Sequence, residues 1–203
     1  MILVKGKHRF KHGDIMNGIG DLMIDERADI FYSDPPWGKG KLKYWYTINK
    51  KETGEEVKVA NFSSFLSQVF CIIRQFSKNV ILMEYGVRWK DEIIKRGREY
   101  GLIHNGVADL QYKSGSRLLP LHLHIFSQEG EIELPPNYLE NLKGSTGLNT
   151  VRKAIYPFAK ENKVILDPCC GRGYTAQVAK ETGMEFRGNE FNKKRLDIAI
   201  NRV

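Results

Sequence analysis

The sequence predicts an α/β protein built on a largely parallel sheet, and three observations carry that prediction. Short apolar runs alternate with stretches of helical spacing through most of the 203 residues, the pattern of strand–helix–strand units. The run Ala28-Asp29-Ile30-Phe31-Tyr32-Ser33 stops at Asp34-Pro35-Pro36-Trp37. Near the other end, Lys163 to Leu166 leads into Asp167-Pro168-Cys169-Cys170-Gly171-Arg172-Gly173-Tyr174-Thr175-Ala176, then a helix, then a short strand ending at Asn189-Glu190.

The elements follow in order. Residues 2–12 alternate weakly and read as one strand reaching His12-Gly13-Asp14. Apolar positions 15, 16, 19, 22 and 23 have helical spacing, with Asp14 as N-cap and with Gly18 and Gly20 weakening the helix. Residues 28–33 form a buried strand. The polar segment 38–60 reads as a long loop, a length that marks a functional segment in a compact domain. Asn61 to Ser77 is a strongly apolar helix, and Val80 to Met83 a buried strand running out at Glu84-Tyr85-Gly86. Trp89 to Tyr100 is a more polar helix closed by Gly101. Two strands, near 106–112 and 119–127, flank the basic turn Gly115-Ser116-Arg117. Residues 128–148, with Pro135-Pro136 and Gly144-Ser145-Thr146-Gly147, have the composition of a linker. A helix over 150–160, the strand 163–166, a helix to about Thr182 and a strand over 184–188 come next. A final helix spans 193–203. The length suits one domain over 1–203, without room for a separate recognition domain.

Composition narrows the function. A net charge of +8 and a pI near 9.3 favour a polyanionic partner, with nucleic acid the first candidate. Cys71, Cys169 and Cys170 form neither a disulfide framework nor a zinc spacing, which fits reduced thiols in a cytoplasmic compartment. No apolar run approaches the roughly 18 residues of a spanning helix, and Lys5 and Lys7 follow Met1-Ile2-Leu3-Val4 too soon for a signal peptide. His122 and His124 share a strand face but lack a third ligand, so no metal site is expected.

The two motifs carry the chemistry. Proline fixes φ, lacks an N–H and forces the preceding residue into extended geometry. Asp34-Pro35-Pro36 therefore gathers a carboxylate and backbone carbonyls into an acceptor cluster beside the Trp37 indole, suited to a flat group bearing NH2. Lys39, Lys41 and Lys43, leading into Tyr44, Trp45 and Tyr46, supply cations for phosphates and aromatic faces for bases. In the second motif, Gly171 and Gly173 let backbone approach a nucleoside, and the Glu190 carboxylate can take two ribose hydroxyls. Gly171-x-Gly173-x-x-Ala176 also fits the loose pattern of a nicotinamide dinucleotide site. The acid of Asp167-Pro168 argues against that, because it would repel a pyrophosphate. It suits a ligand bearing an ammonium and a sulfonium, such as S-adenosylmethionine.

Asp34-Pro35-Pro36-Trp37 together with Asp167 to Thr175 resembles the amino-methyltransferases that methylate N6 of adenine or N4 of cytosine in nucleic acids. With the catalytic motif ahead of the cofactor motif, the chain is similar to the permuted, beta-type members. His12-Gly13-Asp14 and Gly188-Asn189-Glu190 fit as well, so the resemblance covers nearly the whole chain. Two departures stand out: Cys169-Cys170-Gly171-Arg172-Gly173 replaces the family's usual Phe-x-Gly-Ser-Gly, and Gly147-Leu148-Asn149 replaces its Lys-Pro pair. The resemblance implies a Rossmann-like, mostly parallel seven-stranded sheet with one antiparallel strand and helices on both faces. It implies S-adenosylmethionine as cofactor, bound by Asp14, Asp167, Cys169, Gly171, Gly173, Thr175 and Glu190. It implies catalysis by Asp34, Pro35, Pro36 and Trp37 on a base that is flipped or single-stranded. Asp at position 34 leans toward adenine in DNA; N4-cytosine, an RNA substrate and a silent binding subunit of the same fold stay open. A chain without a recognition domain gains grip as a homodimer.

Overall fold

The computed structural model describes residues 1–54 and 57–203. β1 (Ile2–Lys5) and β2 (His8–His12) form an antiparallel hairpin, so the weakly alternating segment expected as one strand is two. A 3-10 turn (Ile15–Asn17) and the four-residue α1 (Gly20–Met23) follow. The single helix expected here is split at Gly18, whose φ of 77° no helix accommodates. β3 (Ala28–Ser33) runs into the Asp-Pro-Pro-Trp turn.

The expected loop over 38–60 is corrected by the structure: Lys39–Thr53 is α2, a 15-residue helix. Its buried residues are Leu42, Tyr46 and Asn49, an i, i+4, i+7 stripe diluted by lysines and by Gly40. Lys50 and Lys51 in its last turn complement the helix dipole, and Gly54 caps it in the left-handed region. Glu55 and Glu56, at the end of that expectation, lie outside the described residues. α3 (Phe62–Phe76) is capped by Asn61, whose side chain accepts from Ser63 N at 2.9 Å, and it buries seven apolar residues. β4 (Ser77–Gly86), α4 (Lys90–Glu99), β5 (Ile103–Ser114) and β6 (Arg117–Ser127) complete this half. The linker-like segment contains the short α5 (Tyr138–Leu142), and α6 (Gly147–Ile155) begins three residues before the expected Thr150. β7 (Val164–Asp167), α7 (Tyr174–Glu181), β8 (Glu185–Glu190) and α8 (Lys193–Ile200) close the chain.

One eight-stranded sheet results, in the order β1-β2-β8-β7-β3-β4-β6-β5. The run from β2 to β4 is parallel, whereas β1, β6 and β5 each pair antiparallel with their neighbours. The seven strands from β2 to β5 match the expected sheet with β6 reversed; β1 is the addition. α6, α7 and α8 cover one face through Val151, Ala176 and Leu196. α2, α3 and α4 cover the other through Leu42, Phe65, Val69 and Ile93. His104, His122 and His124 stack against Phe126 on that second face, and burial pushes His124 down to about 3, leaving it neutral. Among the described residues no helix is long and apolar enough to cross a membrane.

Candidate active site

The chain leaves β3 toward β4 on one side and leaves β7 toward β8 on the other, so the winding reverses between β7 and β3. At such a switch point the loops part and open a crevice at the carboxyl ends of the strands. Here five adjacent parallel strands each place an acid at that edge. In sheet order they are Asp14 after β2, Glu190 on β8, Asp167 on β7, Asp34 after β3 and Glu84 near the end of β4. Neighbouring strands lie about 4.8 Å apart, so the acids form a row rather than a knot.

Each acid is held by its own local fold. Asp14 N-caps the 3-10 turn, accepting from Met16 N at 3.0 Å, and takes the Tyr46 hydroxyl at 2.5 Å. Glu190 accepts from Gly171 N and Asn192 N, both at 2.8 Å. Asp167 accepts from Cys169 N (3.1 Å) and Thr175 Oγ1 (2.7 Å), which ties the Gly-rich loop to the strand tip. The Trp37 indole N–H donates to Asp34 at 2.9 Å. Tyr85 Oη donates to the Pro36 carbonyl at 3.1 Å, bracing the turn. Glu84 is buried and accepts the Tyr32 hydroxyl.

Gly173 shows why the loop needs glycine. Its φ is 77°, and a Cβ there would stand 2.6 Å from Ala199 Cα on α8. Gly173→Ala should therefore cost more than about 2 kcal/mol, the left-handed penalty plus the clash, read as a lower midpoint in urea unfolding. An unchanged midpoint would mean that α8 moves aside freely.

Two adjoining cavities share Asp34, Cys169 and Arg195. The smaller, about 70 Å³, lies among Asp14, Glu190, Asn189 and Phe191, with Trp45 and Tyr46 of α2 as its outer wall. The larger, about 510 Å³, lies among Tyr32, Asp34, Glu84, Asp167, Tyr112 and Tyr174. Asp34 faces this open space but is enclosed by protein elsewhere, and burial pushes its carboxyl up to about 6. The Trp37 N–H, Lys41 and Arg195 pull it the other way. Burial likewise lifts Asp167 to about 7 and Glu84 to about 8, and raises Glu190. A protein of net charge +8 thus carries its most crowded carboxyls in one crevice. That arrangement fits a cationic ligand, whose charge would relieve them. Buried Asn189 Oδ1, unpartnered on the wall of the smaller cavity, offers a further acceptor.

The expected site residues fall in three groups. Asp14, Asp34, Pro36, Asp167, Cys169, Gly171, Thr175 and Glu190 converge on the two cavities. Trp37 meets Tyr112 edge-on at 5.4 Å, and the Pro35 carbonyl has no protein partner among the described residues. Lys39, Lys41, Lys43 and Tyr44 are exposed on α2. Tyr46 is expected among the nucleic-acid contacts; the structure instead turns it inward, buried against Phe191 and bonded to Asp14. Trp45 also lines the smaller cavity, with the Arg195 guanidinium 3.8 Å from its ring centre. Both shifts follow from α2 being a helix: the buried stripe through Leu42 and Tyr46 carries its neighbour Trp45 toward the sheet edge. Sequence reading gave no role to Glu84, Tyr32, Asn189 or Arg195. Glu84 had a signal, an acid at the end of a buried strand.

An acid-rimmed crevice at the switch point of a parallel sheet, with a Gly-rich loop tied to it, defines a Rossmann-like nucleoside-binding α/β protein. The comparisons narrow this further. The family model for N6/N4 DNA methylases matches residues 41–201, and the chain belongs to that DNA methylase family. M1.HpyAVI superposes with a TM-score of 0.67 at 17% identity, covering 95% of this chain and 97% of that one. Its complex with S-adenosylmethionine aligns equally well, at 0.67. TTHA0409, a DNA modification methylase of Thermus thermophilus, aligns at 0.68 and 17% identity, over 96% of this chain and 93% of the other. The cytosine-N4-specific PvuII DNA methyltransferase aligns at 0.60 and 13% identity, over 95% and 85%. No curated protein matches the chain in sequence.

Proposed function

We propose that this DNA methyltransferase transfers a methyl group to N6 of adenine, on a base flipped out of the duplex or already single-stranded. The observation that carries the reading is Asp34 at the junction of the two cavities, braced by Trp37 and flanked by the free Pro35 carbonyl. S-adenosylmethionine is the cofactor and supplies the methyl group as an electrophilic sulfonium. Glu190 and Asp14 would hold its nucleoside end in the smaller cavity, and Asp167 its amino-acid end.

The chain's own residues then act on the base. An exocyclic amine is a poor nucleophile because its lone pair is delocalised into the ring. Asp34 and the Pro35 carbonyl would each accept one of its N–H groups, drawing nitrogen toward tetrahedral geometry and freeing the lone pair. Asp34 also stands where the proton that nitrogen must lose can go. This is positioning and electrostatic stabilisation, with no covalent intermediate on the protein. Trp37, pinned to Asp34, fixes the orientation of that carboxylate and presents an aromatic surface to the base.

Mass spectrometry of nucleosides from DNA and RNA, incubated with the protein and labelled cofactor, tests the reading. N6-methyldeoxyadenosine is expected. N4-methylcytosine as the sole product would overturn the base assignment, label only in RNA the DNA assignment, and no transfer at all the enzymatic one. Replacing Lys39, Lys41 and Lys43 together by Ala probes the DNA side. Binding should weaken on all sequences, and its salt dependence should flatten by up to about 0.9 log units per lost phosphate contact. An unaltered slope would remove the exposed face of α2 from the DNA interface.

A further inference from the structure

One acid of the row has no part in the mechanism above. Glu84 follows Met83, which pairs with Ser33, so Glu84 sits beside Asp34 across β3 and β4. Leu82 and Tyr32 face the same core, which puts Glu84 and Asp34 on one side of the sheet, and both line the larger cavity. Glu84 lies one strand further from the Gly-rich loop than Asp34, on the side of the target base. Tyr32 Oη donates to Glu84 Oε1, which makes that oxygen the acceptor and leaves Oε2 to face the cavity.

We propose that Glu84 is a base-reading residue, whose carboxylic acid O–H donates to the ring nitrogen beside the target amino group while Asp34 accepts from that amino group. The inference rests on the methyl-transfer reading above. An acceptor and a donor side by side match the amidine edge of adenine (N6–H, N1) or cytosine (N4–H, N3). Guanine and thymine present a carbonyl and an N–H there, the reverse pattern, and are refused. The surroundings support the division of labour. Burial and the neighbouring Asp34 push Glu84 up to about 8, while Asp34 stays near 6, so one proton between the two resides on Glu84. Environments that separate two adjacent carboxyls in this way assign one as acid and one as base. Tyr32, Asp34 and Asp167 are the anionic or phenolic groups around Glu84. Lys113, Arg172 and Arg195 are the cations of the same cavity, with Tyr112, Tyr174, Cys169 and Cys170 its other titratable groups.

The test pairs a protein change with a base change, on a duplex carrying the site located by methylation mapping. Replacing the target adenine by 1-deazaadenine removes only the ring acceptor, and should lower kcat/KM of the unaltered protein about 10-fold or more. Glu84→Leu should lower it similarly on adenine and then be indifferent to the deaza change; cofactor binding by calorimetry verifies its fold. Glu84→Gln keeps an acceptor for Tyr32 and a donor for the base. It should restore turnover near neutral pH and abolish the alkaline fall in rate that the unaltered protein shows as Glu84 ionises. If mapping returns N4-methylcytosine, 3-deazacytosine takes the place of 1-deazaadenine. Additive losses for the two changes, or an alkaline limb that survives in Glu84→Gln, would overturn the assignment while leaving methyl transfer intact. Absence of transfer by the unaltered protein would instead overturn the function on which it rests.

Discussion

Asp34→Ala should bind S-adenosylmethionine as the unaltered protein does and transfer methyl groups about 10²–10³-fold more slowly, the usual cost of deleting one preorganised polar contact to the transition state. The carboxylate is oriented by Trp37 Nε1 at 2.9 Å and lies on the cavity that the target base would enter. Its acceptor strength matters most as the amino nitrogen gains positive character, so the loss should fall on kcat more than on KM. Asp34→Asn keeps the size and one acceptor but loses the charge, and should recover only part of the rate. Single-turnover kinetics with preformed cofactor complex measures the chemical step directly. A rate within a few-fold of normal in Asp34→Ala would show that the Pro35 carbonyl and water suffice.

Glu190→Ala should show the opposite division. Its carboxylate accepts from Gly171 N and Asn192 N at 2.8 Å each, so it organises the Gly-rich loop and the start of α8 together. Removing it unpairs two backbone donors and deletes the acceptor proposed for the ribose. Charged hydrogen bonds contribute about 1.5–3 kcal/mol each, so cofactor affinity should fall about 10- to 100-fold. Turnover at saturating cofactor should change much less, because the acid is two strands away from Asp34. Calorimetric titration gives the first number and steady-state kinetics the second. Unchanged affinity would take Glu190 out of the cofactor site.

Much of this was legible in the sequence because strand tips that end in acid, proline or glycine are written in contiguous residues. Asp34-Pro35-Pro36-Trp37 and Asp167 to Thr175 announce both the strand ends and their chemistry, and α3 declares itself through Asn61 and its dense apolar spacing. What failed did so for local reasons. α2 buries only three residues among many lysines, so composition concealed its period. The β1–β2 hairpin turns at Lys5 to His8, too tightly to interrupt a weak alternation. Glu84 could not be paired with Asp34 in advance, since their adjacency is a matter of register between β3 and β4. The inward turn of Trp45 and Tyr46 likewise depends on Phe191, Arg195 and Asp14, three partners distant in the chain.

α2 also ties together two events that the site keeps physically apart. Its inner side touches the smaller cavity through Trp45 and Tyr46, and its far end is fastened to α8's start by Glu52, which accepts from Asn192 Nδ2 at 2.5 Å and lies 3.5 Å from Lys194. Its outer side carries Lys39, Lys43 and Tyr44 into solvent. A ligand that settles this helix from one side lowers the cost of settling it for a ligand on the other. By thermodynamic reciprocity, whatever factor cofactor adds to DNA affinity, DNA adds to cofactor affinity. Heterotropic coupling of that kind favours a ternary complex over either binary one, and cutting the Glu52 tether should weaken the coupling before it weakens either binding alone.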